Sequence, residues 1–582
     1  MFVLAAMAAI AVASLQTITL NMETANAHKK GKNAFYSAEV GLDLAVNDII
    51  SEFENLSVYS DSGGFTTPQT YRNYQVSYNI TNPLEPYLYQ TIVGNSPVYH
   101  YAYTYDIEAE STSLKDSSKE HVEERIRILE TPLVQYYVFY GGSGDLADLE
   151  IHPGPAMTSW GRIHANRDIY VRSGNKFTLQ NFDTAGNPSP HSMVAGGKII
   201  RGMKHKNTSG ESNDSVRIKT SDIGTTINNS NSKYLKVDMT SSNEDDLEGD
   251  GTNGFKGYLM INEKTYDVPS QSQFRRGGFY EGRAEDPQRP GVDGIKIVGT
   301  GGLGTGNIEV YVSRPSYTNV TDLVLARESS PGVSTGLPLS ITETTSAFRD
   351  CREDRLVDTT NIDLNLLQQW YIDYLDDQGL SLAGDGILIY TSRSPDASFT
   401  NLSGNLQAIR LMQLDATSAP QLSDETTVAT DNPMYAQGDF NTINTQGVAL
   451  ISDAMNILSN NFTTRAGACT NGSYPTASNT SFFAAIFSGY IPTPGVGNSA
   501  LSGGLHNYPR FNENWQSRNL NIRGSLINLW KSTQAIEQLE CCSMLYKPPN
   551  RLWGWDVRFQ DPNFWPPFIP SIFSVERVGF FE

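Results

Sequence analysis

MFVLAAMAAIAVASLQTITL (residues 1–20) carries no charge, and NAFYSAEVGLDLAVNDIISEFENL (residues 33–56) follows it with apolar residues at steps of three and four. A helix rising about 1.5 Å per residue makes the first stretch about 30 Å long, the hydrocarbon thickness of a bilayer. In the second stretch Ala34, Ala38, Leu42, Ala45, Ile49, Phe53 and Leu56 fall on one stripe. Ser37, Asp43, Asn47, Asp48, Ser51 and Glu54 are assigned to the opposite face. No proline occurs before Pro68, and the breaker is Ser60-Asp61-Ser62-Gly63-Gly64. Gly31 and Gly41 weaken the helix by about 1 kcal/mol each relative to alanine. The pattern predicts one helix over residues 1–56, apolar all round in its first half and amphipathic in its second. A secretory signal peptide fits poorly, because no basic segment precedes the apolar run and the helical pattern continues beyond it. Ala5, Ala9 and Ala13 are small residues four apart, a spacing that lets helix backbones approach closely. With Met1 and Phe2 they mark an assembly helix. The stripe from Ala34 to Leu56 is expected to couple that helix to a folded head.

Working outward, residues 57–135 read as an antiparallel sheet. Apolar or aromatic residues alternate in Tyr71–Ile80 from Tyr74 onward, and the runs Val98–Ile107 and Val122–Leu129 read the same way. From Tyr136 the texture changes to short strands separated by Gly, Asn and Asp turns, as in Leu149–Gly154 and Gly161–Val171. It returns at Met434–Asn441 and Leu520–Ile527, which suggests β-helical coils without a fixed period. The fold class expected is α+β: a long N-terminal helix, an antiparallel sheet, then a large mainly-β part. The domains expected are 1–56, 57–135, 136–345 and 346–582, with a polar insertion at about 200–345. Helices are expected at Leu364–Leu375 and at Ala449–Leu458.

The 582 residues carry a formal net charge of -20, which repels phosphate backbones and argues against nucleic acid as a partner. Cys351, Cys469, Cys541 and Cys542 form no CxxC pair and are read as candidate disulfide residues; three pairings are open. Gly299, Gly301 and Gly304 make a GxGxxG, but Asn307–Val312 after it reads as a strand, so a phosphate would lack its helix N-terminus and a hairpin turn is expected. Asp246, Glu248 and Asp250 open a calcium-loop spacing without the closing acid, since Gly257 stands there. They form a weak calcium candidate beside the reading of a solvated acidic turn. The eight histidines include no HExxH, and no nucleophile elbow or phosphate loop occurs. His152 and His164 are expected near one another on successive coils, in a structural role. No catalytic residue, resident metal or other cofactor is assigned, and the chain is read as not an enzyme.

The run Asn33-Ala34-Phe35-Tyr36-Ser37-Ala38-Glu39-Val40-Gly41-Leu42, after an apolar helix, resembles PilX-type minor pilins and the large K-type pseudopilin of type II secretion, both in the type IV filament superfamily. Phe511–Trp515, Arg523–Leu526, Pro548–Asp556 and Pro566-Pro567 resemble the C-terminal parts of large bacterial pilin-like surface proteins. The resemblance implies a pilin helix, a pilin-like sheet and a short basic leader cut near Met1. It also implies self-association into a homopolymeric extracellular filament at the cell surface, with other pilins and assembly machinery as partners and passage through the inner membrane before assembly. Ala5 stands where the superfamily usually has a glutamate, which raises a tip subunit, adhesin or secretion pseudopilin as the first alternative. A monomeric, membrane-anchored surface carbohydrate-binding protein or enzyme is the second.

Overall fold

The computed structural model describes residues 2–54, 65–81, 85–93, 96–116, 118–172, 175–206, 216–219, 234–236, 258–289, 291–299, 308–412, 421–463, 474–495, 501–539 and 546–581. An N-terminal helix is followed by a chain made mostly of β-strands, an α+β architecture. Two compact units divide it. Unit 1 comprises Met1–Thr91, Tyr99–Thr131 and Phe573–Glu582; unit 2 comprises Ile92–Val98 and Pro132–Ile572.

In unit 1 the helix α1 runs from Phe2 to Glu54; residues 55 and 56, the expected end, lie outside the described residues. The sheet orders Gln69–Tyr71, Tyr74–Ile80, Ser96–Ser113, Lys119–Pro132 and Ser571–Phe581, with Tyr87–Val93 also pairing with Ser96–Ser113. The first three pairings in that order are antiparallel, and the register sets Ile80 opposite Ile107 and Ala109 opposite Val122. That register puts Tyr78, Ile80, Tyr105, Ile107, Ala109, Val122, Ile126 and Ile128 in one cluster with Ala38, Leu42, Ala45, Ile49 and Phe53 of α1. Helix and sheet pack tightly at Gly41, where an added Cβ would lie 2.9 Å from the Ala109 Cβ and 3.0 Å from Val76 Cγ1. Ser111 Oγ donates to the Ala34 carbonyl at 2.7 Å, a polar tie inside the apolar seam. Ser37, assigned to the polar face, is buried; its hydroxyl turns back to donate to the Asn33 carbonyl at 2.8 Å, which satisfies it locally. The C-terminal strand is a correction to the expected 346–582 domain. Its end belongs to unit 1, where Arg577 pairs with Asp43 of α1 at 2.6 Å and with Glu124 at 3.2 Å.

Unit 2 is built on parallel strands. One sheet orders Asp293–Gly299, Ile387–Ser392, Thr426–Ala429, Val448–Ser452, Ala485–Tyr490, Leu526–Lys531, Val138–Tyr140, Met157–Ala165, His191–Ala195 and Leu259–Met260, every neighbour parallel. A second orders Thr480–Phe483, Asn519–Arg523, Asn550–Gly554, Met157–Ala165, Phe177–Gln180 and Val216–Lys219, again parallel. A third set pairs Arg355–Asp363, Leu406–Met412, Met434–Gln437 and Met455–Leu458. A fourth pairs Leu149–Ile151, Ile169–Val171 and Ile199–Arg201. Strands such as Ile387-Leu388-Ile389-Tyr390 are apolar on successive positions because both faces are buried.

Chain order and spatial order differ in unit 2. The chain enters mid-stack at Val138–Tyr140, builds outward to Leu259–Met260, crosses to the far edge at Asp293–Gly299, and works back until Leu526–Lys531 lies beside Val138–Tyr140. The expected spans 136–345 and 346–582 fall in one compact unit apart from the last residues of the chain, with strands of both joined edge to edge in the same sheets. The expected polar insertion likewise contributes the buried strand Asp293–Gly299. Ala449–Leu458, expected as a helix, forms strands Val448–Ser452 and Met455–Leu458 instead. Its apolar segments, such as Val448–Ile451, are too short to carry a period that separates helix from strand. The other expected helix is Leu364–Asp377, capped by the Asp363 carboxylate accepting from the Leu366 amide at 3.1 Å.

Candidate functional site

Two features concentrate chemistry: the outer half of α1 and a histidine cluster in unit 2. Of α1, side chains are described from Val12 onward. The helix is buried from Ala34, Ala38, Leu42, Ala45, Ile49 to Phe53, each at most 3% exposed, whereas Val12, Leu15, Ile18, Leu20 and Met22 are 55–63% exposed. Val12, Leu15, Ile18 and Met22 recur at steps of three and four, so they share a face. Thr17, Thr19 and Thr24 donate to the carbonyls of Ala13, Leu15 and Leu20 at 2.8–2.9 Å. Their hydroxyls are thereby satisfied within the helix, and no external polar partner is needed. Ala13 is exposed; the side chains of Met1, Phe2, Ala5 and Ala9, and Leu56 altogether, lie outside the described residues. Lys30 pairs with Asp116 at 3.3 Å. Among the described residues no helix is long and apolar enough to cross a membrane.

The cluster in unit 2 gathers residues far apart in sequence. Glu150 lies in Leu149–Ile151, His152 just after it, His205 in the 3-10 turn Lys204–Lys206, and His506 in the turn Leu505–Asn507. Ligand atoms of Glu150, His152 and His205 all lie within 4.8 Å of one another. The His152 ring centroid is 4.5 Å from that of His506 and 5.9 Å from that of His205. Glu150 Oε1 and His152 Nε2 are 3.7 Å apart, too far for a hydrogen bond, and both atoms are buried without one. Burial would raise the Glu150 carboxyl, but His152, Thr493 and Lys204 outweigh it and hold it below the usual value. Burial, with His152 and Arg551 close by, pushes the His506 imidazole well below its usual range. Lys204 anchors the 3-10 turn by pairing with Asp148 at 2.7 Å and Asp145 at 3.1 Å. A Cβ on Gly504 would lie 1.8 Å from the Glu150 carbonyl oxygen, so only glycine lets this segment pack there.

His152 therefore meets His205 and His506, not His164 as expected. His164 stacks on Phe139 at 4.8 Å and contacts Asn166 at 3.1 Å, and burial lowers its pKa to about 4. Sequence reading missed Glu150, His205 and His506. The available signal was local: Glu150 and His152 two apart at a strand end face the same way. Cys351 is disulfide-bonded; Cys469, Cys541 and Cys542 lie outside the described residues. So do the calcium candidates Asp246, Glu248 and Asp250. Gly299 closes a strand antiparallel to Ile308–Val312, and Gly301 and Gly304 fall in the undescribed connection. Trp515, Trp553 and Trp555 are buried.

Buried acids elsewhere in unit 2 hold loops. Asp453 accepts from the amides of Thr533, Gln534 and Ala535 at 2.6–3.0 Å. Glu353 pairs with Arg510 and accepts from the amides of Ile536 and Glu537.

No family model and no curated protein matches the chain. Among solved structures, the competence-associated pilin ComZ from Thermus thermophilus aligns over 95% of this chain and 97% of that one, at 11% identity and a TM-score of 0.28. A superposition that loose carries no argument about function.

Proposed function

We propose that the chain is a structural subunit of an extracellular filament of the type IV pilin kind, polymerising through the first half of α1. The observation that carries this reading is the split character of one 53-residue helix. Its second half is sealed against a sheet, while Val12, Leu15, Ile18 and Met22 stay more than half exposed. Apolar area in water costs roughly 25 cal/mol per Å², and copies of the same helix packed side by side would remove it. Ala5, Ala9 and Ala13 would let those backbones approach. The partners on this reading are further copies of the chain, other pilins and the assembly machinery, with the inner membrane holding α1 before assembly. The parallel sheets of unit 2 are read as the faces of β-helical coils, and the sheet of unit 1 as the pilin-like head. No catalytic role is assigned on this reading, and the buried acids Asp453 and Glu353 serve to hold loops.

Ala5, in place of the superfamily's usual glutamate, favours a second reading as a tip subunit, adhesin or pseudopilin. Immunogold labelling of native surface fibres separates the two. Label along the whole length supports the repeating subunit, label only at ends supports the tip subunit, and absence from fibres removes both.

A further inference from the structure

We propose that Glu150, His152 and His205 form a binding site for a divalent transition-metal ion, zinc by the character of the ligands, with His506 as the adjoining fourth group. Three potential ligand atoms converge within 4.8 Å, and a tetrahedral zinc site with bonds of about 2.0–2.2 Å needs them about 3.3 Å apart. Side-chain rotations closing the set by about 1.5 Å would complete it around an ion.

The second observation is the state of the ligand atoms. Glu150 is 2% exposed, and its Oε1 lies buried 3.7 Å from His152 Nε2, with no hydrogen bond to either atom. Buried polar atoms without a hydrogen bond are costly and rare, and two such atoms 3.7 Å apart leave a gap that a shared ligand partner would fill. His506 offers a third such atom, Nδ1, on a ring 4.5 Å from His152. Two imidazoles and a carboxylate suit zinc, cobalt or nickel, whereas calcium and magnesium take oxygen ligands. The carboxylate supplies one negative charge, and the nearby Lys204 ammonium is engaged by Asp145 and Asp148.

The site has a structural consequence. Glu150, His152 and His205 come from the outward run of unit 2, and His506 from the returning run between Ala485–Tyr490 and Asn519–Arg523. An ion held by all four would cross-link segments about 350 residues apart, a count read from the residue numbers. Loop cross-links of this kind restrict the unfolded chain.

The test uses the full chain without a histidine tag, stripped with chelator and titrated with zinc or cobalt. The expected result is one ion per chain, a cobalt spectrum of four-coordinate intensity, and a melting temperature raised by zinc. His152→Ala and His205→Ala should each lower affinity at least tenfold, and His506→Ala should weaken binding less while altering the cobalt spectrum. Circular dichroism and melting of the stripped variants distinguish ligand loss from misfolding. For a variant that misfolds, Glu150→Gln, which keeps shape and drops the charge, serves in its place. No stoichiometric uptake by the folded chain, or equal uptake by the folded variants, would overturn the site and leave a His152–Glu150 ion pair as its explanation. Neither outcome bears on filament formation, which is scored separately by imaging.

Discussion

Trp160 and Trp555 hold each other's backbone: the Trp160 indole N–H donates to the Trp555 carbonyl at 2.7 Å, and the Trp555 amide donates to the Trp160 carbonyl at 3.0 Å. The Trp555 indole then donates to the Val134 carbonyl at 2.7 Å. Trp160 belongs to the outward run of unit 2 and Trp555 follows the last strand of the returning run. The pair therefore closes the stack at the place where the chain enters it.

This closure predicts sensitivity at Gly554, where an added Cβ would lie 2.2 Å from the Trp160 ring. Gly554→Ala should destabilise unit 2 by about 1–3 kcal/mol through overpacking. A chemical denaturation midpoint followed by tryptophan fluorescence measures it. An unchanged midpoint would show that the ring moves aside freely.

The seam between α1 and its sheet should be equally exacting. Phe53 is 3% exposed and meets Tyr103 edge-on at 5.0 Å. Phe53→Ala should cost about 3–5 kcal/mol, and Gly41→Leu should lift the helix off Ala109. Proteolysis within unit 1 should accelerate in both variants. Protection equal to wild type would mean that the head folds without the helix.

Buried Glu513 gives a pH prediction. Burial pushes its carboxyl up to about 7 against two hydrogen bonds from Ser459 at 2.6 and 2.7 Å. An acid whose folded pKa exceeds its unfolded value favours folding while protonated, so its contribution falls as pH rises from about 4.5 to about 7. Glu513→Gln should therefore gain stability relative to wild type across that window, by roughly 3 kcal/mol in all. The difference in denaturation midpoint is followed from pH 4 to pH 8, a range of roughly four units around the expected transition; a flat difference would contradict the account.

The outer half of α1 should be dispensable for folding and needed for assembly. Leu15→Asp and Ala13→Leu alter exposed positions, so the melting temperature should hold while fibres disappear. Normal fibres from both variants would argue against close helix packing there.

Much of unit 1 was legible because its elements are long and periodic. The three-and-four spacing from Ala34 to Phe53 marks the face of α1 that is buried, and alternation in Tyr74–Ile80 and Val122–Leu129 marks strands. The C-terminal strand escaped notice because its partner, Lys119–Pro132, lies some 440 residues away by residue number. Unit 2 was harder to read. Short strands such as Met455–Leu458 carry no period, and the stack order follows from a crossover that no local pattern encodes. The histidine cluster was invisible for the same reason: His205 and His506 reach His152 only once distant turns are folded together.

Electron microscopy of native surface material, with antibody against unit 2, tests the central claim most directly. The account predicts regular fibres labelled along their length, with α1 helices bundled at the centre. Single chains embedded in lipid and never associated with one another or with other pilins would contradict it.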